Sequence, residues 1–589
     1  MSVYDYSATS KSSTVINNSE YHYHTIFGRV CSTRFQKLAK FIFTSSWILS
    51  FILLLPSSSS WIVKVLPIRT IPLAIGFFLL ACLKKNNLHV DFLGYRTLSN
   101  QVLGQLLNKK FALTFLIYWV SSLLYFIALH SPLFSNLTLK ATPKKHQYPQ
   151  LNDQFVFYYF FTFFIALVYS LYHSILDKDR LVFRYGHFHE HPKDALINKI
   201  PSIVSNSILF TVLAITSGPF IYIFARNYLY DFLFVIVGIF YSLNHSYPSL
   251  SFSLYFYVKL SIISFFLLVS WESLNAAFNA YLSIGCLHRG RTLSELSKDP
   301  LNTLLTGLRS NKELTKLTAF QELAYIAKID DSEGRLAIYN RNNRREAIWK
   351  DILHECEKVL KQNNSNINSV LSKNFGENNI VDSKFEISKK RDQNIFGRDY
   401  YNPIEKNDDY LSRPKIPSYS DDSQSFLDNN IITLIVDNTR LLNKLINEYY
   451  HRFITSGFGI PFRYTALRES ERLCPIPVTV GNAIIAISLI STHAYEEDKR
   501  GTVSATITDI LDILEKSVST CGKFISNYPK YLVETDGENI ITLLHELSMN
   551  AFFEVTIKYN DVLKDAVLSP DVYKLVNWIL ENAFKDDPL

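Results

Sequence analysis

The chain has 589 residues, 48% hydrophobic and 14% aromatic, and its 60 Lys and Arg exceed its 53 Asp and Glu for a formal net charge of +7. That excess is mild and much of it sits beside the membrane segments, which points to membrane orientation; nucleic-acid binding needs a concentrated Lys/Arg face, so no direct nucleic-acid partner is expected. The cysteines Cys31, Cys82, Cys286, Cys356, Cys474 and Cys521 include no CxxC pair, which argues against a disulfide framework or structural zinc.

Residues 1–36 form a polar tail. The first apolar run opens only near Phe41, so no cleavable signal peptide is visible. A helix needs about 20 mostly apolar residues to cross a bilayer. Within 37–278, six runs qualify, at roughly 38–58, 66–83, 111–129, 155–174, 202–225 and 254–275. The last carries Lys259 and Glu272 near its ends, from which long side chains snorkel to the interface. The stretch 229–243 is ambiguous: its uninterrupted apolar core is too short to span, and it reads as re-entrant, interfacial or a tilted seventh span.

Basic residues mark the cytosolic side of a membrane protein. Arg29, Arg34, Lys37 and Lys40 precede the first span, and Lys84, Lys85, Arg96, Lys109 and Lys110 follow the second. Lys178, Arg180, Arg184, Lys193 and Lys199 follow the fourth, and Arg289, Arg291 and Lys298 follow the sixth. Six spans place all of these on one side, with both termini cytosolic or nucleoplasmic. Loops 56–65, 130–153 and 226–253 then face the lumen, where the sequons at Asn136 (NLT) and Asn244 (NHS) are candidate glycosylation sites. In 92–107, Leu98, Val102, Leu103 and Leu106 recur with helical spacing and predict a surface or bundle-packed helix.

The remainder predicts an α-helical domain facing water, in three parts: helices over 279–361, a disordered linker at 362–425 and helices over 426–589. The linker is rich in Asn, Ser, Asp and Lys (QNNSNINS, KKRDQN, SYSDDSQS), too polar to bury a core. Asp299 is placed to cap a helix with Pro300 in its first position, and Leu301, Leu304, Leu305 and Leu308 line one face. With the Phe320–Leu323 turn this stripe is a candidate packing face, holding the first helices against the bundle, or a docking face for a partner. The run 483–490 (AIIAISLI) is too short to span and predicts a buried core helix. The fold class is therefore all-α: a six-span bundle followed by a helical domain with a disordered insert.

No positive case for catalysis emerges, and no catalytic residue, cofactor or metal is assigned. His187, His189, Glu190 and His191, near His173, form one histidine cluster, but a di-iron site needs several converging ones. Gly218-Pro219 in the fifth span is a kink without a counterpart that would suggest a transporter repeat. The run Glu496-Glu497-Asp498 reads as a solvated helix end.

Two stretches carry a resemblance. NAYLSIGCLHRGRTLSELSKDPLNTLLTGLRS with LTKLTAFQELAYIAKIDDSEGRLAIYNRNNRREAIWKDI, inside 279–353, and SLISTHAYEEDKRGTVSATITDILDIL, inside 481–515, resemble the nuclear-division-cycle family of transmembrane nucleoporins. The resemblance extends over nearly the whole chain. It implies a non-enzymatic protein of the nuclear envelope that anchors the nuclear pore complex at the pore membrane and, in mitosis, the spindle pole body. The implied partners are other nucleoporins, spindle pole body components and nuclear envelope lipids. In that setting the leucine stripe would dock a nucleoporin or the curved pore membrane, if it does not simply pack. The competing class is a polytopic endoplasmic-reticulum transporter or lipid-modifying enzyme, which dependence on His187, His189 and His191 would favour.

Overall fold

The computed structural model describes residues 22–389, with breaks at 56–60, 66–67, 135–136, 142–148, 184–185, 187, 189–190, 242–246, 249, 251–252, 284, 330–332 and 341–347, and residues 449–583, with breaks at 450–451, 455 and 527–538. Its first half is a bundle of long apolar helices. Helix α1 (Tyr23–Leu54) starts well before the predicted first span. Tyr23, Ile26, Phe27, Val30, Arg34 and Leu38 are buried at intervals of three or four residues, so one register carries the helix from the polar tail into the apolar run. The short α2 (Trp61–Val65) leads to α3 (Thr70–Asn87), whose 18 residues measure about 27 Å. Next come α4 (Leu98–Leu106), capped by the Thr97 hydroxyl, and α5 (Lys109–Leu133). The strands β1 (Lys140–Ala141) and β2 (Gln150–Leu151) pair antiparallel and deliver the chain to α6 (Asp153–Ile175).

The fifth predicted span is much longer than its apolar run suggested. Helix α7 covers Pro192–Gly238 in 47 residues, with Pro201 and Pro219 inside it. The ambiguous stretch from 229 is thus largely a continuation of this helix; no Gly or Pro separates the two apolar runs, and Arg226 finds a partner in Asp153 without breaking it. Helix α8 (Leu254–Leu282) completes the bundle, packing along α7 and against α1.

Seven helices among the described residues are long and apolar enough to cross a membrane. Five are α1, α5, α6, α7 and α8; the shorter α3 is not among them. The other two lie in the second half, where 72% of the apolar window is buried in Pro477–Glu497 and 44% in Ile540–Lys558.

That half opens with a tight hairpin of β3 (Leu287–His288) and β4 (Arg291–Thr292). It continues through α9 (Pro300–Leu308), α10 (Glu313–Lys328), α11 (Glu333–Asn340) and α12 (Ile348–Lys389). After the undescribed stretch come α13 (Ala466–Leu473), α14 (Pro477–Glu497), α15 (Ile507–Ser526), α16 (Ile540–Lys558), α17 (Asn560–Leu563) and α18 (Pro570–Ala583). One core runs through them, from Leu304 and Phe320 through Ile487 and Leu514 to Ile579, and it includes Tyr23, Phe27 and Val30 of α1.

The expected linker from 362 is corrected at its start. Helix α12 runs to Lys389, and Leu360, Ile367, Val370 and Leu371 keep a buried face through the Asn-rich run. Its asparagines also find partners: Asn364 Nδ2 donates to Ser517 Oγ (3.2 Å) and Asn366 Nδ2 to the Leu473 carbonyl (3.3 Å). The rest of the predicted linker, and the first part of the helices expected over 426–589, up to residue 448, lie outside the described residues.

Candidate functional site

For a chain without a catalytic constellation, the informative place is the junction between the apolar bundle and the helical domain. Helix α1 makes the first tie. The Tyr23 hydroxyl donates to Glu322 Oε2 (2.7 Å), and the Tyr23 amide donates to Thr306 Oγ1 (3.1 Å). The backbone amide of Ser294 donates to the other carboxylate oxygen, Oε1 (2.8 Å). Glu322 is fully buried; burial raises its pKa, and the hydrogen bonds from Ser294 and Tyr23 only partly offset this. Gly307 is required beside Tyr23, since an added Cβ would lie 2.7 Å from the Tyr23 ring.

Three turns further along α1, Arg34 is buried and its guanidinium donates to the carbonyls of Gly285 (3.0 Å) and Leu287 (3.1 Å). Gly285 itself adopts φ +100°, and a side chain there would overlap the Phe188 carbonyl. Hydrogen bonding of a buried cation to two backbone oxygens fixes the hairpin against α1.

The second tie joins the loop after α3 to the C-terminal helices. The Phe92 amide donates to the Pro475 carbonyl (3.0 Å), and Arg468 Nη1 donates to Gln101 Oε1 (2.7 Å). Val90, Leu317 and Val478 form a small apolar cluster between them. His89 lies 3.0 Å from Asp177. Burial works against protonation of His89, but hydrogen bonding and attraction to Asp177 leave its pKa raised overall.

Beneath the junction lies a buried polar network. Glu272 Oε1 accepts from the Tyr169 hydroxyl (2.9 Å) and from Lys178 Nζ (2.5 Å). Asn275 Nδ2 donates to the Tyr169 hydroxyl (3.0 Å), while its Oδ1 accepts from Lys84 Nζ (3.2 Å). His173 bridges the Tyr118 hydroxyl (3.1 Å) and Asp179 (2.9 Å). At the opposite end of the bundle Asp153 gathers Tyr222 (2.9 Å), Tyr230 (3.0 Å) and Arg226 (3.2 Å). These groups come from five helices and their loops, so sequence reading missed them. The visible signal was Glu272 and Lys84 at the ends of apolar runs; their partners were not readable because they lie up to 191 residues away.

The predicted stripe is in the core: Leu304, Leu305, Leu308, Phe320 and Leu323 are buried, and Leu301 is half-buried against them. Asn136, Asn244, His187, His189 and Glu190 lie outside the described residues. His191 is exposed at the start of α7. The reading of 496–498 as a merely solvated helix end is corrected. Glu497 pairs with the buried Arg335 (2.7 Å), and Asp498 accepts from the Arg500 amide (3.0 Å), the Val503 amide (2.9 Å) and the Thr502 hydroxyl (2.8 Å). Only Glu496 fits the expectation, exposed beside Lys558. The short charged run ends one helix and organises the turn into the next.

Comparison with known proteins supplies a family. The profile described as "Nucleoporin protein Ndc1-Nup" matches residues 29–577. The "Nuclear envelope protein ndc1" of Schizosaccharomyces pombe is 23% identical over 610 aligned positions, covering 96% of this chain and 97% of that protein. The "Nucleoporin NDC1" of Chaetomium thermophilum is 28% identical over 177 positions, covering 29% of this chain and 27% of that protein.

Proposed function

Because the chain belongs to the Ndc1-Nup family of nucleoporins, we propose that it anchors the nuclear pore complex at the pore membrane and, in mitosis, the spindle pole body in the nuclear envelope. Its role is structural rather than enzymatic. Six spans (α1, α3, α5, α6, α7 and α8) hold it in the bilayer, with both termini on the cytosolic or nucleoplasmic side. Recognition of other nucleoporins and of spindle pole components belongs to the helical domain after residue 290.

The observation that carries this reading is the continuity of α1. One helix runs from the apolar bundle into the core of the domain, where Tyr23, Phe27 and Val30 are covered by α9 and α10. A load on the domain therefore reaches the membrane through a helix and buried hydrogen bonds rather than through a flexible linker. The basic residues of the junction support the orientation.

Imaging a fluorescently tagged chain through the cell cycle tests the proposal. Punctate nuclear-rim signal, with enrichment at spindle poles in mitosis, is expected; a uniform reticular network would overturn it. Residues 1–290 alone should enter the membrane and fail to replace the full chain. Labelling of a cysteine placed at position 145 from the cytosolic side would refute the topology.

A further inference from the structure

We infer that the groove between the start of α1 and the β3–β4 hairpin binds the phosphorylated headgroup of an inositol lipid. The groove has a volume of about 470 Å³, within the range of small-molecule sites. Arg29 enters it from α1, with Thr33 one turn below, and His288, Arg289 and Arg291 enter from the hairpin. The buried side chains of Ile26 and Val30 line its inner side.

The hairpin is built to present these cations. Its two-residue turn, Arg289-Gly290, has positive φ at both positions (+55° and +83°), which matches the type I′ turn that suits tight antiparallel hairpins. Register then places His288 opposite Arg291. Arg29, Arg289 and Arg291 are exposed, and none has a carboxylate partner among the described residues. Glu295 follows β4, but it does not line the groove; its charge is felt by Tyr325. His288 registers the crowding: burial, then Arg34, Arg289 and Lys37, hold its pKa below the usual value. Uncompensated cations facing one concavity repel each other and concentrate anions there.

Position selects the anion. Counting about 20 residues back from Leu54 puts the edge of the hydrocarbon near Phe35, so Arg29 stands about 9 Å above it. Headgroups occupy roughly 5–8 Å beyond the hydrocarbon on each side, and an inositol ring rises above its phosphodiester. Lys37 and Lys40 follow Arg29 at i+8 and i+11, about 3 and 8 Å inside that edge, and their long side chains snorkel back out toward the diester. Serine and ethanolamine headgroups carry an ammonium, and no carboxylate lines this groove to receive one. A headgroup that is only anionic fits, with guanidinium forks on its phosphomonoester. That the groove faces the leaflet carrying such lipids rests on the topology proposed above; binding itself does not.

The test uses the full chain in phosphatidylcholine nanodiscs, whose two faces are both open, so orientation cannot affect the result. Short-chain phosphatidylinositol monophosphate, short-chain phosphatidylserine, inorganic phosphate and a phosphoserine peptide are titrated separately. The inositol lipid should bind saturably and roughly tenfold more tightly than each of the others. The triple variant Arg29→Gln/Arg289→Gln/Arg291→Gln should lose about tenfold of that affinity with an unchanged melting temperature. Should the triple variant melt lower, Arg289→Gln and Arg291→Gln are measured singly, and each should still weaken binding about threefold. Equal binding by wild type and variants overturns the site. Serine lipid bound as tightly means unselective adsorption, inorganic phosphate bound as tightly means no headgroup recognition, and tighter binding of the peptide means a protein ligand; each also overturns it.

Discussion

Helices α1 and α14 are both long and apolar enough to cross a bilayer, yet their surroundings differ. Only 39% of the most apolar window of α1 is buried, against 72% for α14. In α1 the outward face carries Phe43, Trp47, Ile48 and Ile52, while Ser46 and Ser50 turn inward. In α14 the aliphatic residues Ile484, Ile487 and Ile490 are buried under α10, α12, α15 and α16. Apolar composition says only that water is absent. Both helices have an end held by protein partners, Tyr23 with Glu322 in α1 and Glu497 with Arg335 in α14, so whether lipid or protein replaces water depends on how many neighbours the rest of the chain supplies along the apolar window.

This contrast is sharpest where an apolar side chain is trimmed in each region. Leu304→Ala in the domain core should cost about 2–5 kcal/mol. Ile48→Ala on the outward face of α1 should change stability by less than about 0.5 kcal/mol, because lipid chains fill the gap. Thermal melts of the full chain in nanodiscs compare the two, and equal losses would break the distinction.

Ion pairs give the next largest effect. Arg335 is 2% exposed and its partner Glu497 18%, so Arg335→Ala should cost about 3 kcal/mol. Asp153→Asn in the bundle keeps an acceptor for Tyr222, Tyr230 and Arg226 and should cost only about 1–2 kcal/mol. Denaturant titrations that ranked them the other way would show that the bundle depends more on its charges than the domain does.

The smallest effects are pH slopes, and the same junction supplies two. His89 has a folded pKa above its usual 6.5, so its contribution is fully present below about 6.5 and is lost as pH rises through the folded value. Asp177→Asn should flatten that slope in the melting temperature. Glu322 has a folded pKa above its usual 4.5, so its contribution to stability is fullest at or below about 4.5 and falls as pH rises toward the folded value. Glu322→Gln should remove this second slope. If either variant keeps the wild-type slope, the titrating group is another one.

The bundle was legible in the sequence because lipid imposes length: five of the six apolar runs match helices that pass on length and apolarity, and the sixth matches the shorter α3. Helix ends were less legible. The upstream part of α1 and the tail of α12 are polar enough to read as solvent-facing, and only their buried residues at three- and four-residue spacing reveal a partner. Asp299 and Pro300 marked the start of α9 because a cap is local chemistry, and the Asp299 carboxylate does face the Asn302 amide. The networks around Glu272 and Asp153 were not readable, since pairing between helices depends on how they pack. The Arg29–Arg291 groove was half visible: its arginines were noted as markers of membrane orientation, but the turn that brings them together appears only in three dimensions.

The tie between Tyr23 and Glu322 also sets a schedule. The two residues are 299 positions apart, and at synthesis rates of roughly 5–20 residues per second their making is separated by about 15–60 seconds. Ile579, in the same core as Tyr23, arrives later still. By then every apolar run of the bundle has been made, while the start of α1 still waits for its cover. The bundle is thus complete before the domain can close, and the domain condenses around a helix end already standing out of the membrane. A chain stopped short of α10 would leave Tyr23, Phe27 and Val30 bare at the bilayer surface, a visible mark of incomplete synthesis.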